Sequence, residues 1–167
     1  MGYDEKIFKA KANIKARRLW LVFAILLTAN YGTDTANGAY SVSNYIIFVI
    51  LCWLPFVCGD ILLKRKGKDN DHYRLAFVIG YGIFYVFLLC TTTSPIAFTY
   101  ILPIISLIVI FKDEKFMIYC AVANMLSLIA SIAFHIFVLG QNTAADHKNY
   151  QLQIACLLLC YIGYIMS

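Results

Sequence analysis

The chain has 167 residues, of which 62% are hydrophobic, 16% aromatic and only 14% charged. A soluble domain carries about 45–50% apolar and about 25% charged residues. So large an apolar excess cannot be hidden in one core of this size, which excludes both a water-soluble globule and a disordered chain.

In chain order, a basic, helix-like arm comes first, over residues 1–18, with Lys6, Lys9, Lys11, Lys15, Arg17 and Arg18. An apolar run succeeds it over 19–36 and fades from Asn30 onward. It is not a cleavable signal peptide, because it lacks a small-residue cleavage site and further apolar runs come later. Those runs cover 45–63, 75–91, 95–111, 116–139 and 151–167, the fourth opening at Pro95, a favourable first-turn position, behind Thr91-Thr92-Thr93-Ser94. About 20 apolar residues cross a bilayer as a helix, and a run of that length must satisfy its backbone internally. The alternation of outer-membrane strands is absent. The predicted fold is all-α: a polytopic membrane protein whose domain 19–167 holds six transmembrane helices.

The net charge of +5 comes from cations crowded at the ends of these runs. That placement suits lipid phosphates and the asymmetry of membrane insertion rather than nucleic acid. Besides the six cations of the arm, residues 64–74 hold Lys64, Arg65, Lys66, Lys68 and Arg74, and the turn before the fifth run holds Lys112 and Lys115. With six spans, only Lys148 of the 14 Lys and Arg residues falls on the opposite side. Both termini are therefore expected in the cytoplasm. The sixth run is still apolar at Ser167, and the expectation is that this is the membrane part of a longer protein.

In the fifth run, Cys120, Asn124, Ser127, Ser131 and His135 are spaced at steps of 4, 3, 4 and 4 and share one helical face. Two readings stay open: small and hydroxyl residues that let helices pack and hydrogen-bond, or a polar pocket wall with His135 at its outer end. A second polar group, including Asn30, Asn44, Thr91, Thr92, Tyr100, Gln151 and Gln153, lies near the outer boundary, where tyrosines also form an ordinary aromatic belt. The candidate ligand-binding residues are Asn124, Ser127, Ser131, His135, Tyr100 and Thr92.

Other features favour structural roles. Pro55 and Pro103 are expected inside spans, as kinks. Asp60, four residues before Lys64, suits an i,i+4 ion pair more than a proton relay. Gly80-Tyr81-Gly82 echoes a potassium filter but sits mid-run without a pore helix, so close packing beside Ala76 explains it better. The six cysteines lie inside apolar runs without metal-ligand spacing. There is no phosphate loop, HExxH, GxSxG or carboxylate pair. No enzyme activity, catalytic residue, metal or cofactor is expected.

Leu51-Cys52-Trp53-Leu54-Pro55-Phe56, residues 79–111 with their threonine–proline segment, and the closing stretch 155–167 resemble the membrane region of clostridial methyl-accepting chemotaxis proteins. The resemblance implies a bacterial cytoplasmic membrane protein whose sixth span continues into a cytoplasmic helical hairpin, homodimeric when full length, that regulates a histidine kinase. It supplies no ligand motif. The expected function is a transmembrane sensor domain for an unknown small ligand, coupled through its sixth helix to a cytoplasmic signalling domain. The alternative is a small six-helix transporter or substrate-capture subunit. Transporters tend to carry repeats or buried ionisable groups, and here Asp60 and His135 stand almost alone.

Overall fold

The computed structural model describes residues 2–92 and 97–166. Among these residues six α-helices occur in order: α1 (Gly2–Ala36), α2 (Val42–Lys66), α3 (His72–Thr91), α4 (Leu102–Val109), α5 (Glu114–Phe137) and α6 (Ala144–Met166), with a short 3-10 helix at Ala97–Ile101. No strand occurs among the described residues. Four helices, α2, α3, α5 and α6, are long and apolar enough to cross a membrane. Only 22%, 33%, 28% and 11% of their apolar windows are buried, so most of that surface points outward, consistent with contact with a lipid bilayer.

Helix ends obey local chemistry. The Ser41 side chain caps α2 by accepting from the Asn44 amide at 3.2 Å. Lys64, Arg65 and Lys66 fill its last turn, where cations oppose the helix dipole, and Gly67, at φ 93°, takes the chain out of it. Asp113 caps α5 by accepting from Phe116 N at 3.0 Å.

The helix-like arm and the first apolar run form one element, since α1 is unbroken across residues 18 and 19. The fourth run is not one uniform helix: its described part is the 3-10 helix and then the eight residues of α4, while Thr93, Ser94 and Pro95 lie outside the described residues. Pro103 lies inside the helical stretch 97–109, one residue past the point where the 3-10 helix passes into α4 at Leu102, a place where a missing N–H suits a change of helix type.

The chain divides into two compact units, Met1–Phe84 and Tyr85–Ser167, with the boundary inside α3. In the first unit α1 packs on α2, burying Ala12, Asn13, Ala16, Trp20, Ala24 and Tyr31 along one face. The alanines allow close approach, and Trp20 fills the space beyond them. Its ring lies 5.1 Å from both Phe77 and Tyr81, edge-on, the arrangement that the ring quadrupoles favour. Tyr31 stacks on Phe48 at 4.2 Å, and Trp53 Nε1 donates to Thr28 Oγ1 at 3.0 Å. Gly80 faces the Pro55 ring so closely that a Cβ there would collide with it.

The charged end of this unit is tied down. Asp60 pairs with Arg17 at 2.7 Å and, as its spacing suggested, with Lys64 at 2.8 Å. Asn13 donates through Nδ2 to the carbonyls of Lys68 and Asn70, at 2.9 and 3.0 Å. Lys9 bridges Glu5 and Asp71, both at 3.1 Å. Its amine is held above the usual lysine range, first by the Glu5 carboxylate and then by Asp71.

In the second unit α5 packs on α6 and α4 touches α6. Its core joins Tyr85 and Leu88 of α3 to Ile101, Ile104, Ile105 and Ile108, with Leu128 of α5 and Leu157 of α6, all at most 2% exposed. Tyr85 Oη donates to the Phe98 carbonyl at 3.1 Å, tying α3 to the 3-10 helix.

Candidate functional site

At one end of the second unit, the last turn of α3, the 3-10 helix, the C-terminal turns of α5 and the first turns of α6 enclose a cavity of about 100 Å³. Such a volume holds several waters or a small polar molecule. From α3 comes Thr92, just past the helix end, and from α5 come Ser131 and His135. Gln141 reaches in from the connection to α6, and Asp146, Asn149, Tyr150 and Gln153 complete the wall from α6. Leu89, Ala97, Phe98 and Ile132 supply the apolar part.

His135 is the best-anchored polar group here. It is 9% exposed, with Nε2 2.7 Å from the Leu89 carbonyl oxygen and Nδ1 2.8 Å from Gln141 Oε1. A carbonyl oxygen only accepts, so Nε2 donates to Leu89, and Nδ1 is paired as an acceptor when the Gln141 side-chain amide turns its NH2 group toward the ring. Tyr150 Oη donates to the Gln141 backbone carbonyl at 3.3 Å, holding the connection against α6.

The α6 wall is fixed by a reciprocal cap. Thr143 N and Oγ1 both donate to Asp146 Oδ2, at 2.9 and 2.7 Å, and Asp146 N donates back to Thr143 Oγ1 at 3.2 Å. Asp146 is the one carboxylate at the cavity. The site thus offers acceptors, amide and hydroxyl donors, a histidine and a single negative charge.

Of the six residues selected from the sequence, Thr92, Ser131 and His135 converge on this cavity. Asn124 does not reach it; it is buried further along α5 and its Nδ2 donates to Tyr161 Oη. Ser127 turns to its own helix, donating to the Ala123 carbonyl at 2.9 Å. Tyr100 sits half-buried in the 3-10 helix, outside the cavity wall. Gln141, Asp146, Asn149 and Tyr150 were missed. The signal for them was the Thr143-x-x-Asp146 capping pattern, which places the start of α6 before the apolar run and brings its polar first turns alongside α5.

Among the described residues no cluster of three His, Cys, Asp or Glu side chains is arranged to hold a metal ion. No protein-family model, curated protein or solved structure matches this chain.

Proposed function

We propose that the chain is the transmembrane sensor domain of a bacterial signal transducer of the chemoreceptor type. In this reading six segments cross the cytoplasmic membrane, with the apolar part of α1 and the segment 97–109 added to the four long apolar helices. Both termini face the cytoplasm, and the cavity lies at the outer side. The placement of Lys and Arg supports this orientation. In the full-length protein α6 continues into a cytoplasmic signalling domain that makes it a homodimer.

The observation that carries the reading is the position of α6. It supplies Asp146, Asn149, Tyr150 and Gln153 to the cavity and runs unbroken to Met166, about 20 Å further along at 1.5 Å per residue. A small polar ligand that binds one packing of α5, α6 and the 3-10 helix better than another shifts the population between them. Displacements of about 1–2 Å are the usual output of such packed helices. The signal then travels along one rigid element.

The test is the full-length protein reconstituted with its histidine kinase. The reading frame after Ser167 should encode a long heptad-patterned helix. Ser131→Phe, which fills the cavity, should lock kinase control in one state, and His135→Ala should change the response while the protein remains folded. Kinase control indifferent to both, or solute transport by the chain in proteoliposomes, would overturn the proposal.

A further inference from the structure

We infer that the exposed face of α1 is a docking site for an anionic phospholipid. Of the six cations in the arm, Lys9 and Arg17 are taken up by carboxylates, Lys9 by Glu5 and Asp71 and Arg17 by Asp60. Lys11, Lys15 and Arg18 are exposed, and none of the three forms an ion pair among the described residues. At 3.6 residues per turn they share one face, and that face continues into Val22, Ile25 and Leu26. Those three are 51%, 53% and 60% exposed. The opposite face, with Ala16 and Trp20 at 0% and 2%, is buried in the first unit, so this stripe is the side of α1 turned outward.

Positive charge leading directly into aliphatic surface matches a phospholipid with an anionic headgroup and its acyl chain. The neighbouring helix repeats the order. Leu54, Val57 and Ile61 of α2 are exposed and lead into Lys64, Arg65 and Lys66 in its last turn. The Arg17–Asp60 ion pair sets the two helices at a common level, so both change from apolar to cationic at the same height. A free anion would satisfy the charges but leave the aliphatic half of the stripe unused; an acidic protein segment would do the same. The inference stands apart from the sensor reading, because no residue of the cavity takes part.

The experiment is native mass spectrometry of the whole chain released from bilayers that contain equal amounts of phosphatidylglycerol and phosphatidylcholine with identical acyl chains. Phosphatidylglycerol should be retained preferentially. Removing all three cations, as Lys11→Gln, Lys15→Gln and Arg18→Gln together, should weaken that preference roughly a hundredfold, from the usual contribution of a basic residue at an anionic surface. Lys148→Gln serves as the control and should change nothing. All these residues are exposed, so thermal unfolding should be the same in every variant and loss of the fold can be told from loss of the lipid. Equal retention of the two lipids, an unaffected triple variant, displacement of the lipid by glycerol phosphate at millimolar concentration, or a second protein copy lost with the same three cations would each overturn the inference.

Discussion

The Nε2 atom of His135 lies 2.7 Å from the backbone carbonyl oxygen of Leu89, so a side chain two residues from the end of α5 holds the last turn of α3. Its other ring nitrogen faces Gln141. One imidazole therefore links a helix end, a neighbouring helix and the connection leading to α6. His135→Ala should remove both contacts and lower stability by about 1–3 kcal/mol, since one hydrogen bond between membrane helices contributes roughly 0.6–1.7 kcal/mol. Reversible unfolding in mixed micelles measures this. Unchanged stability would show that the ring holds nothing.

Asn124 and Tyr161 form the buried link between α5 and α6. Both are under 10% exposed, at 7% and 4%. A double-mutant cycle with Asn124→Ala and Tyr161→Phe should give a coupling energy of about 0.6–1.7 kcal/mol. Strict additivity of the two substitutions would mean that they do not interact. The cavity should be unaffected, because neither residue lines it.

Gly80 and Gly82 are two residues apart in α3 and should respond oppositely to alanine. A Cβ at Gly80 would meet the Pro55 ring, whereas nothing lies within 4 Å of one at Gly82. Gly80→Ala should cost about 1–3 kcal/mol through overpacking, and Gly82→Ala should gain up to about 1 kcal/mol from helix propensity. Equal effects in thermal unfolding would rule out the packing account of this pair.

Asn13 is 3% exposed and clasps the turn after α2 through two backbone carbonyls. Asn13→Ala should take this donor from both, leaving the Asn70 carbonyl only the Tyr73 amide at 3.3 Å, and cost roughly 1–3 kcal/mol. The effect should be local. Amide exchange over residues 67–71 and tryptic cutting after Lys68 should both accelerate, and protected exchange in the variant would contradict the clasp.

The proposed six-span topology has its own check. In a cysteine-free background, single cysteines at residues 64–74 should be labelled only from the cytoplasm, and Lys148→Cys only from outside. Labelling of Lys148→Cys from the cytoplasm alone would exclude six spans.

Much of this protein was legible one residue at a time. The apolar runs specified helices because a long run out of water must bond its own backbone, and α2, α3, α5 and α6 contain most of four of them, although α6 begins at Ala144, before its run. Asp60 and Lys64 were legible as a pair because four residues make about one helical turn. The same periodicity put Asn124, Ser127, Ser131 and His135 on a common face, yet it could not divide them. Ser131 and His135 line the cavity, Asn124 bonds to Tyr161 and Ser127 bonds back to its own helix. That division depends on which neighbouring helix lies at each level, and helical periodicity carries no information about neighbours. For the same reason Arg17 as the second partner of Asp60, Asn13 as the clasp of a turn 55 and 57 residues away, and Gly80 against Pro55 emerged only when helices distant in sequence came into contact. Sequence by itself determined which segments are helical and which surfaces are apolar, because both depend on chemistry within a few residues. Tertiary structure alone decided which polar groups meet.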